Sequence, residues 1–264
     1  MSKIACQDTL ITKKRHLSQD YFSLTFSPVS RANRCVPGQF IHLLLPSTDV
    51  TFRRAFSVAS VSEDGNELEI IFRVVGRGTT LLAGLAKGDR VNILVPLGNR
   101  FTIPRKNERV LLIGGGIGFP PMMFLASRLL AKGHPADKIE FFYGGRSKDD
   151  ILERTRIKKL GVRFHPVTED GSFGEKGLVT QPVERVISEA TGEKMRMYAC
   201  GPEPMLKAVE ALGVKYGIPG EISVEAPMPC GFGVCLGCVL PLKAGGYTRV
   251  CTDGPVYPFG EVVL

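Results

Sequence analysis

Val110-Leu-Leu-Ile-Gly-Gly-Gly-Ile-Gly-Phe-Pro-Pro121 is the stretch on which the fold turns. Val110 to Ile113 read as a strand buried on both faces, and the glycines at 114, 115, 116 and 118 open a tight loop. Pro121 then starts a helix, where its missing N–H costs little. A strand running through a glycine loop into a helix is the repeating unit of a parallel α/β sheet, whose ligands lie beyond the carboxyl ends of the strands. The unit recurs downstream: strands are predicted at 139–143, 162–167 and 195–199, alternating with helices at 121–131, 148–160, 180–189 and 203–216. Residues 106–218 are therefore expected to form a doubly wound parallel α/β domain. The loop itself gives G-x-G-x-x-P from Gly116, which alone is only moderately specific.

Toward the N-terminus the pattern changes to short β-rich runs at 21–26, 40–45, 56–59, 68–75 and 90–95, separated by turn signals such as Pro37-Gly38 and Asp64-Gly65-Asn66. Several alternate with period two, and their spacing predicts a small antiparallel β-barrel over residues 1–105, interrupted by one helix at 79–86. Two places in it carry chemistry. Arg54-Ala55-Phe56-Ser57 puts a forked cation, an aromatic ring and a hydroxyl on one strand, a set suited to a pyrophosphate and a planar ring. Ile71-Phe72-Arg73 is followed by Gly78-Thr79 at a helix start, where main-chain amides favour a phosphate. Taken singly, each has a plainer account in a charged strand end and a helix capped by Thr79.

Toward the C-terminus, Cys230-Gly-Phe-Gly-Val-Cys235-Leu-Gly-Cys238 and the more distant Cys251 hold four of the 7 cysteines. The C-x4-C-x2-C…C spacing matches plant-type [2Fe-2S] ligation, and Gly231, Gly233 and Gly237 are expected to supply positive φ between the ligands. Structural zinc also takes four thiolates but usually prefers two C-x2-4-C pairs. A disulfide framework fits poorly with an N-terminus, Met-Ser-Lys-Ile-Ala-Cys, that lacks the apolar core of a signal sequence. Residues 219–264 are thus expected to form a small [2Fe-2S] module. Cys6 and Cys35 have no partners at cluster spacing and read as structural, and Cys200, on packing alone, reads as a small buried thiol. His42 and His165, both in strands, read as satisfied histidines without a role, and Met122-Met123 as helix packing.

The remaining composition narrows the function. A chain of 264 residues with 44% hydrophobic content can fill two modest cores and a small module. Its net charge of +8 is spread out, with Trp 0 and Tyr 6 for stacking bases, which argues against nucleic acid. Anionic cofactors or an acidic partner account for the charge better. No apolar run approaches the roughly 20 residues of a membrane span, so no membrane association and a cytoplasmic location are expected.

In this order the elements resemble a known family. Arg54-x-Phe56-Ser57 and Gly78-Thr79 resemble the FAD-binding barrel of the ferredoxin–NADP reductase superfamily, and Cys200-Gly201-Pro202 resembles its C-G-P beside the nicotinamide. The segment from Val224-Glu-Ala-Pro-Met-Pro-Cys230 to Cys251-Thr-Asp-Gly-Pro-Val256, with Thr168 to Thr180 as a dinucleotide loop, is similar to the electron-transfer subunits of B-type, NAD-dependent dihydroorotate dehydrogenases. The likeness covers about residues 4 to 264. It implies a multi-domain α+β protein of FAD barrel, NAD domain and [2Fe-2S] module. FAD would be held by Arg54, Ala55, Phe56, Ser57, Ile71, Phe72, Arg73, Gly78 and Thr79. NAD would be held by Gly114, Gly115, Gly116, Gly118, Cys200, Gly201 and Pro202, and the cluster by Cys230, Cys235, Cys238 and Cys251. No acid–base pair is implied in this chain.

In that family an FMN-containing catalytic subunit oxidises dihydroorotate, and its electrons pass through the cluster and FAD to NAD+, in a two-plus-two heterotetramer. Arg146 could mark a 2′-phosphate and hence NADP, but a lone Arg at a helix start is more often a surface residue, so NAD is expected. Ordinary ferredoxin reductases stop after the nucleotide domain, commonly with an aromatic over the flavin. This chain runs on past Gly217, which leaves open what covers the ring. Sulfhydrogenase and NADH-dependent ferredoxin:NADP oxidoreductase subunits share these cofactors and form the alternative. A colourless zinc-binding interaction module on a reductase-like scaffold is the non-enzymatic reading.

Overall fold

Two seven-stranded sheets organise the computed structural model, which describes residues 4–46, 50–190 and 192–264. Met1–Lys3, part of the N-terminal stretch read for a leader, lie outside the described residues. The chain divides into two compact units. The first comprises Met1–Arg100, Glu225–Leu240 and Gly246–Pro255; the second comprises Phe101–Val224, Pro241–Gly245 and Val256–Leu264.

In the first unit, β1 (Ala5–Ser18), β2 (Tyr21–Ser27), β3 (Phe40–Leu44), β4 (Arg54–Ser57), β5 (Ser60–Val61), β6 (Leu68–Arg73) and, after helix α1 (Arg77–Gly84), β7 (Arg90–Leu97) form an antiparallel sheet. Its strand order is β4-β3-β7-β1-β2-β6-β5. The sheet curls, so that Phe56 on β4 meets Phe72 on β6 with ring centroids 5.7 Å apart. Leu24, Phe26, Ile41, Leu43, Ile70 and Ile93 are fully buried in it. β1 was not among the predicted runs. It lies between β7 and β2, but much of it is solvent-facing and the run Lys13-Lys14-Arg15-His16 hides its alternation, with Thr9 and Ile11 alone deeply buried.

The helix α1 starts earlier than predicted, because the Thr79 hydroxyl accepts the amides of Val75 (2.9 Å) and Gly76 (3.1 Å) from inside the first turn.

In the second unit, β8 (Arg109–Gly115), α2 (Phe119–Ala131), β9 (Ile139–Gly145), α3 (Arg154–Lys159), β10 (Arg163–Thr168), β11 (Glu175–Lys176), α4 (Thr180–Glu189), β12 (Met195–Cys200), α5 (Glu203–Tyr216) and β13 (Gly220–Ser223) follow in order. The C-terminal segment adds the short strands β14 (Val239–Pro241), β15 (Tyr247–Arg249) and β16 (Val256–Pro258). Strand order is β11-β10-β9-β8-β12-β13-β16, parallel except for β16. The order reverses direction at β8 and β12, the switch point where α/β sheets bind ligands.

The helix predicted over 148–160 is broken. A 3-10 turn at Lys148–Asp150 is followed by Glu153 at φ 51° before α3 begins. The buried Tyr143 hydroxyl donates to the Asp150 carbonyl (2.7 Å) and accepts the Leu152 amide (3.3 Å), replacing the bonds a continuous helix would make.

At the other end of this sheet, Glu140 is buried with Arg109 Nε (3.0 Å), Arg163 Nη1 (3.0 Å) and His165 Nε2 (2.6 Å) on its carboxylate. Burial pushes the carboxyl up, but the hydrogen bonds from His165 and Arg109 more than reverse it, to about 2. Among the described residues, no helix is long and apolar enough to cross a membrane.

Candidate cofactor sites

The cysteine loop belongs to the first unit. Cys235 is exposed, Cys230 half-buried, and Cys238 and Cys251 are buried. The sulfurs fall into two pairs. The thiols of Cys230 and Cys235 are within hydrogen-bonding reach of each other, as are those of Cys238 and Cys251, and Cys238 Sγ accepts the Cys251 N–H at 3.4 Å. Two pairs of thiolates suit two irons, so the residues present fit a [2Fe-2S] cluster.

Two of the four thiols are shifted in opposite directions. Burial pushes the Cys230 thiol up, but the main-chain donors at Cys235 and Phe232 more than reverse this, to about 6. Burial and the adjoining Cys238 sulfur push Cys251 up to about 12.

The loop backbone departs from the expectation at one position. Gly231 and Gly233 have φ of 82° and 84°, but the third residue in this region is Leu236 at 57°, not Gly237. Gly237 is small for a different reason: a Cβ there would lie 2.9 Å from Pro229 Cδ, and its N–H donates to Cys235 Sγ at 3.4 Å.

Two seams fasten the loop to the curled sheet. Asn99 donates its N–H to the Gly254 carbonyl (2.6 Å) and its Nδ2 to that of Asp253 (2.8 Å). His42, on β3, places Nδ1 3.2 Å from the Cys230 carbonyl, and burial brings its imidazole down to about 4. The sequence reading gave His42 no role. Its partner lies far along the chain, beyond any local signal.

The predicted FAD residues come together on β4, β6 and the start of α1. Arg54 packs against Gly78 so closely that a Cβ there would be 2.8 Å from Arg54 Nε. Arg54 Nη1 donates to the Phe52 carbonyl at 2.6 Å, while Nε and Nη2 make no protein hydrogen bond among the described residues. Arg73 lies over the Tyr21 ring at 5.5 Å, and its buried Nε also has no partner among them. Free guanidinium donors beside a helix start fit a pyrophosphate. Ile71, Phe56 and Phe72 are buried and supply apolar surface, while Ala55 is exposed and Ser57 half-buried. The Thr79 hydroxyl is already used in capping, so Thr79 can offer a ligand only its main chain.

In the second unit the glycine loop and Cys200-Gly201-Pro202 meet at the switch point. Gly114 pairs with Cys200 across β8 and β12. A Cβ at Gly118 would lie 2.2 Å from the Cys200 carbonyl oxygen, and one at Gly115 would lie 3.0 Å from Pro202 Cδ. Gly116, at φ 51°, faces open space. Pro120 and Pro121 lie in the first turn of α2 and lack N–H groups, so the amides of 116–118 carry the anion-binding capacity of this helix start. These features fit a dinucleotide. The Arg146 guanidinium is engaged by Asp150, with Nε to Oδ2 at 3.0 Å.

Comparison with known proteins agrees with this geometry. Residues 8–101 match the oxidoreductase FAD-binding domain family and residues 112–211 the oxidoreductase NAD-binding domain family. A structure of the NADH-dependent reduced ferredoxin–NADP oxidoreductase superposes with a TM-score of 0.86 at 26% identity, covering 97% of this chain and 89% of that one. The ferredoxin reductase of carbazole 1,9a-dioxygenase shares the fold, with a TM-score of 0.69 at 23% identity over 81% of this chain and 67% of that one. The class is therefore an oxidoreductase of the ferredoxin-reductase fold with FAD- and NAD-binding domains.

The more particular match comes from the cysteine segment. Residues 225–263 match the iron-sulfur cluster binding domain of dihydroorotate dehydrogenase B. The electron transfer subunit of dihydroorotate dehydrogenase B (NAD(+)) from Shouchella clausii is 37% identical over 261 residues, 96% of each chain. That from Desulforamulus reducens is 34% identical over 268 residues, covering 100% of this chain and 99% of the other. The chain belongs to this family of electron-transfer subunits.

Proposed function

We propose that this chain connects a dihydroorotate-oxidising, FMN-containing catalytic subunit to NAD+, in the cytoplasm and as part of a two-plus-two heterotetramer. The observation that carries the reading is the cysteine segment. Its sulfurs form two pairs, and it matches the iron–sulfur family specific to dihydroorotate dehydrogenase B. The relation to the NADH-dependent ferredoxin–NADP oxidoreductase extends over as much of the chain, 97% against 96%, but at 26% identity against 37% for the dihydroorotate dehydrogenase relative.

The labour divides along the chain, with FAD on 1–105, NAD on 106–218 and the cluster on 219–264. When bound, a flavin accepts single electrons from a cluster and gives up the hydride that a nicotinamide requires. Cys230, Cys235, Cys238 and Cys251 would hold the cluster. Arg54, Arg73 and the main chain at Gly78 and Thr79 would bind the FAD pyrophosphate, with Ile71, Phe56 and Phe72 as apolar support and Ala55 and Ser57 nearer the ring. Gly114, Gly115, Gly116 and Gly118 would seat NAD together with Cys200, Gly201 and Pro202. None of these residues is asked to move a substrate proton.

The exposed ligand Cys235 lies in a loop with Phe232 (50% exposed), Val234 (73%) and Leu236 (57%), and Tyr247 (75%) belongs to the same unit. Apolar side chains left in water beside a redox ligand are suited to burial under the catalytic subunit.

The test is NAD+ reduction by dihydroorotate with this chain and an FMN-containing catalytic subunit from the same source, together and separately. Activity only in the mixture is the expected result. An inactive mixture in which this chain still takes electrons from NADH would move the assignment to another complex.

A further inference from the structure

His42 is fully buried on β3, far in sequence from the cysteine loop against which it packs. A carbonyl oxygen only accepts hydrogen bonds, so the contact with Cys230 at 3.2 Å places a proton on Nδ1 and leaves Nε2 bare in the neutral ring. That Nε2 is buried and meets no protein partner among the described residues. A buried unpaired acceptor is destabilising, a cost that an apolar residue at this position would avoid.

The fit on the other side is equally tight. Gly231 follows Cys230 at φ 82°, and a Cβ there would lie 2.4 Å from Nδ1 and 3.0 Å from Cε1 of His42. The ring edge therefore rests directly on the main chain of the loop, with the Met228 carbonyl also within hydrogen-bonding reach. Across the β3–β4 ladder His42 pairs with Ala55 and Phe40 with Ser57. Residues two apart on a strand share a face, so His42, Ala55 and Ser57 lie on one side of this sheet.

We infer that His42 is a positioning residue for the cluster: its Nδ1–H fixes the Cys230 main chain, and so the first thiolate ligand, to the strand pair that carries the candidate flavin residues Ala55 and Ser57. The sequence alone gives His42 no role, whereas its Nδ1 donor and the glycine it abuts both belong to one contact with the cysteine loop. Partners behind the ligands hold metal sites in shape, and hydrogen bonds around cluster sulfurs tune potential.

This inference rests on Cys230 being a cluster ligand. The iron and sulfide content and optical spectrum of the unaltered protein test that premise separately. For His42 itself the variants are His42→Phe, which keeps bulk without the donor, His42→Asn, whose amide nitrogen reaches the Nδ1 position, and Gly231→Ala. Each is assayed for FAD content, rate of iron loss to a ferrous chelator, the electron paramagnetic resonance signature of the reduced cluster and its midpoint potential.

His42→Phe should keep FAD, lose iron about tenfold faster and shift both the signature and the potential. His42→Asn should restore all three, and Gly231→Ala should shift them as His42→Phe does. A His42→Phe protein indistinguishable from wild type in these readouts would overturn the inference. So would His42→Asn behaving no better than His42→Phe. If His42→Phe does not retain FAD, Gly231→Ala decides: unchanged cluster signals there also overturn it.

Discussion

The glycine loop after β8 and the cysteine loop after β13 are both short, glycine-rich and read as ligand sites, yet they are built on opposite terms. In the first, protein packs on protein: Gly118 abuts the Cys200 carbonyl, Gly115 abuts Pro202, and the strands beneath are paired residue by residue. In the second, Cys235 and its apolar neighbours face solvent, and the loop is tied to its sheet at His42 and Asn99. A dinucleotide comes and goes, so its seat must be complete without it. A resident cluster can complete its own seat.

That contrast can be broken at several points. The largest effect is expected at the cysteine loop: Cys235→Ser should retain FAD and its reduction by NADH, yet reduce partner-dependent NAD+ reduction to the level of either chain alone. Transfer that persists in a stopped-flow assay with the catalytic subunit would remove the cluster from the path.

Next comes the sheet under the glycine loop. Glu140→Gln leaves Arg109 and Arg163 facing a neutral amide and should cost about 3 kcal/mol in urea unfolding of the second unit at pH 7. The wild-type carboxyl is depressed from 4.5 to about 2, so its contribution is fully present above pH 4.5 and is lost as pH falls toward 2. The gap between the two proteins should close over that window. A gap independent of pH would mean that packing, not charge, sets it.

Gly118→Ala should cost about 1–3 kcal/mol, because the added Cβ, 2.2 Å from the Cys200 carbonyl oxygen, forces the main chain of the loop and of Cys200 apart. It should weaken NADH binding in a titration while leaving FAD and the cluster spectrum intact, and normal NADH affinity would show that the close approach is not needed. The smallest effect is expected at the solvent face. Phe232→Ser with Val234→Ser should weaken association with the catalytic subunit roughly tenfold by sedimentation or calorimetry, without changing the cluster spectrum. Unaltered affinity would place the partner elsewhere.

Local chemistry made much of this legible. The strand–glycine–helix unit at 110–121, the helices at 180–189 and 203–216, and the cysteine spacing all follow rules that act within a few residues. What escaped depended on distant partners. β1 was hidden because its neighbours bury few of its side chains. The 148–160 helix failed because the Tyr143 hydroxyl, on a different element, took over its bonds. Gly237 was read for its backbone freedom, whereas Pro229 and the Cys235 sulfur account for it.

The sequence by itself determined the kinds of ligand this protein can hold, because cysteine spacing, glycine loops and alternating apolar residues are properties of short segments. Only the tertiary structure decided which groups act together: Arg54 with Gly78, Cys200 with Gly118, the four sulfurs as two pairs, and His42 with Cys230. The physical reason is that such contacts, the Cys230–Cys235 pair aside, join residues from 13 to 188 positions apart, whose approach is set by how sheets pair and curl and not by any preference of the residues themselves.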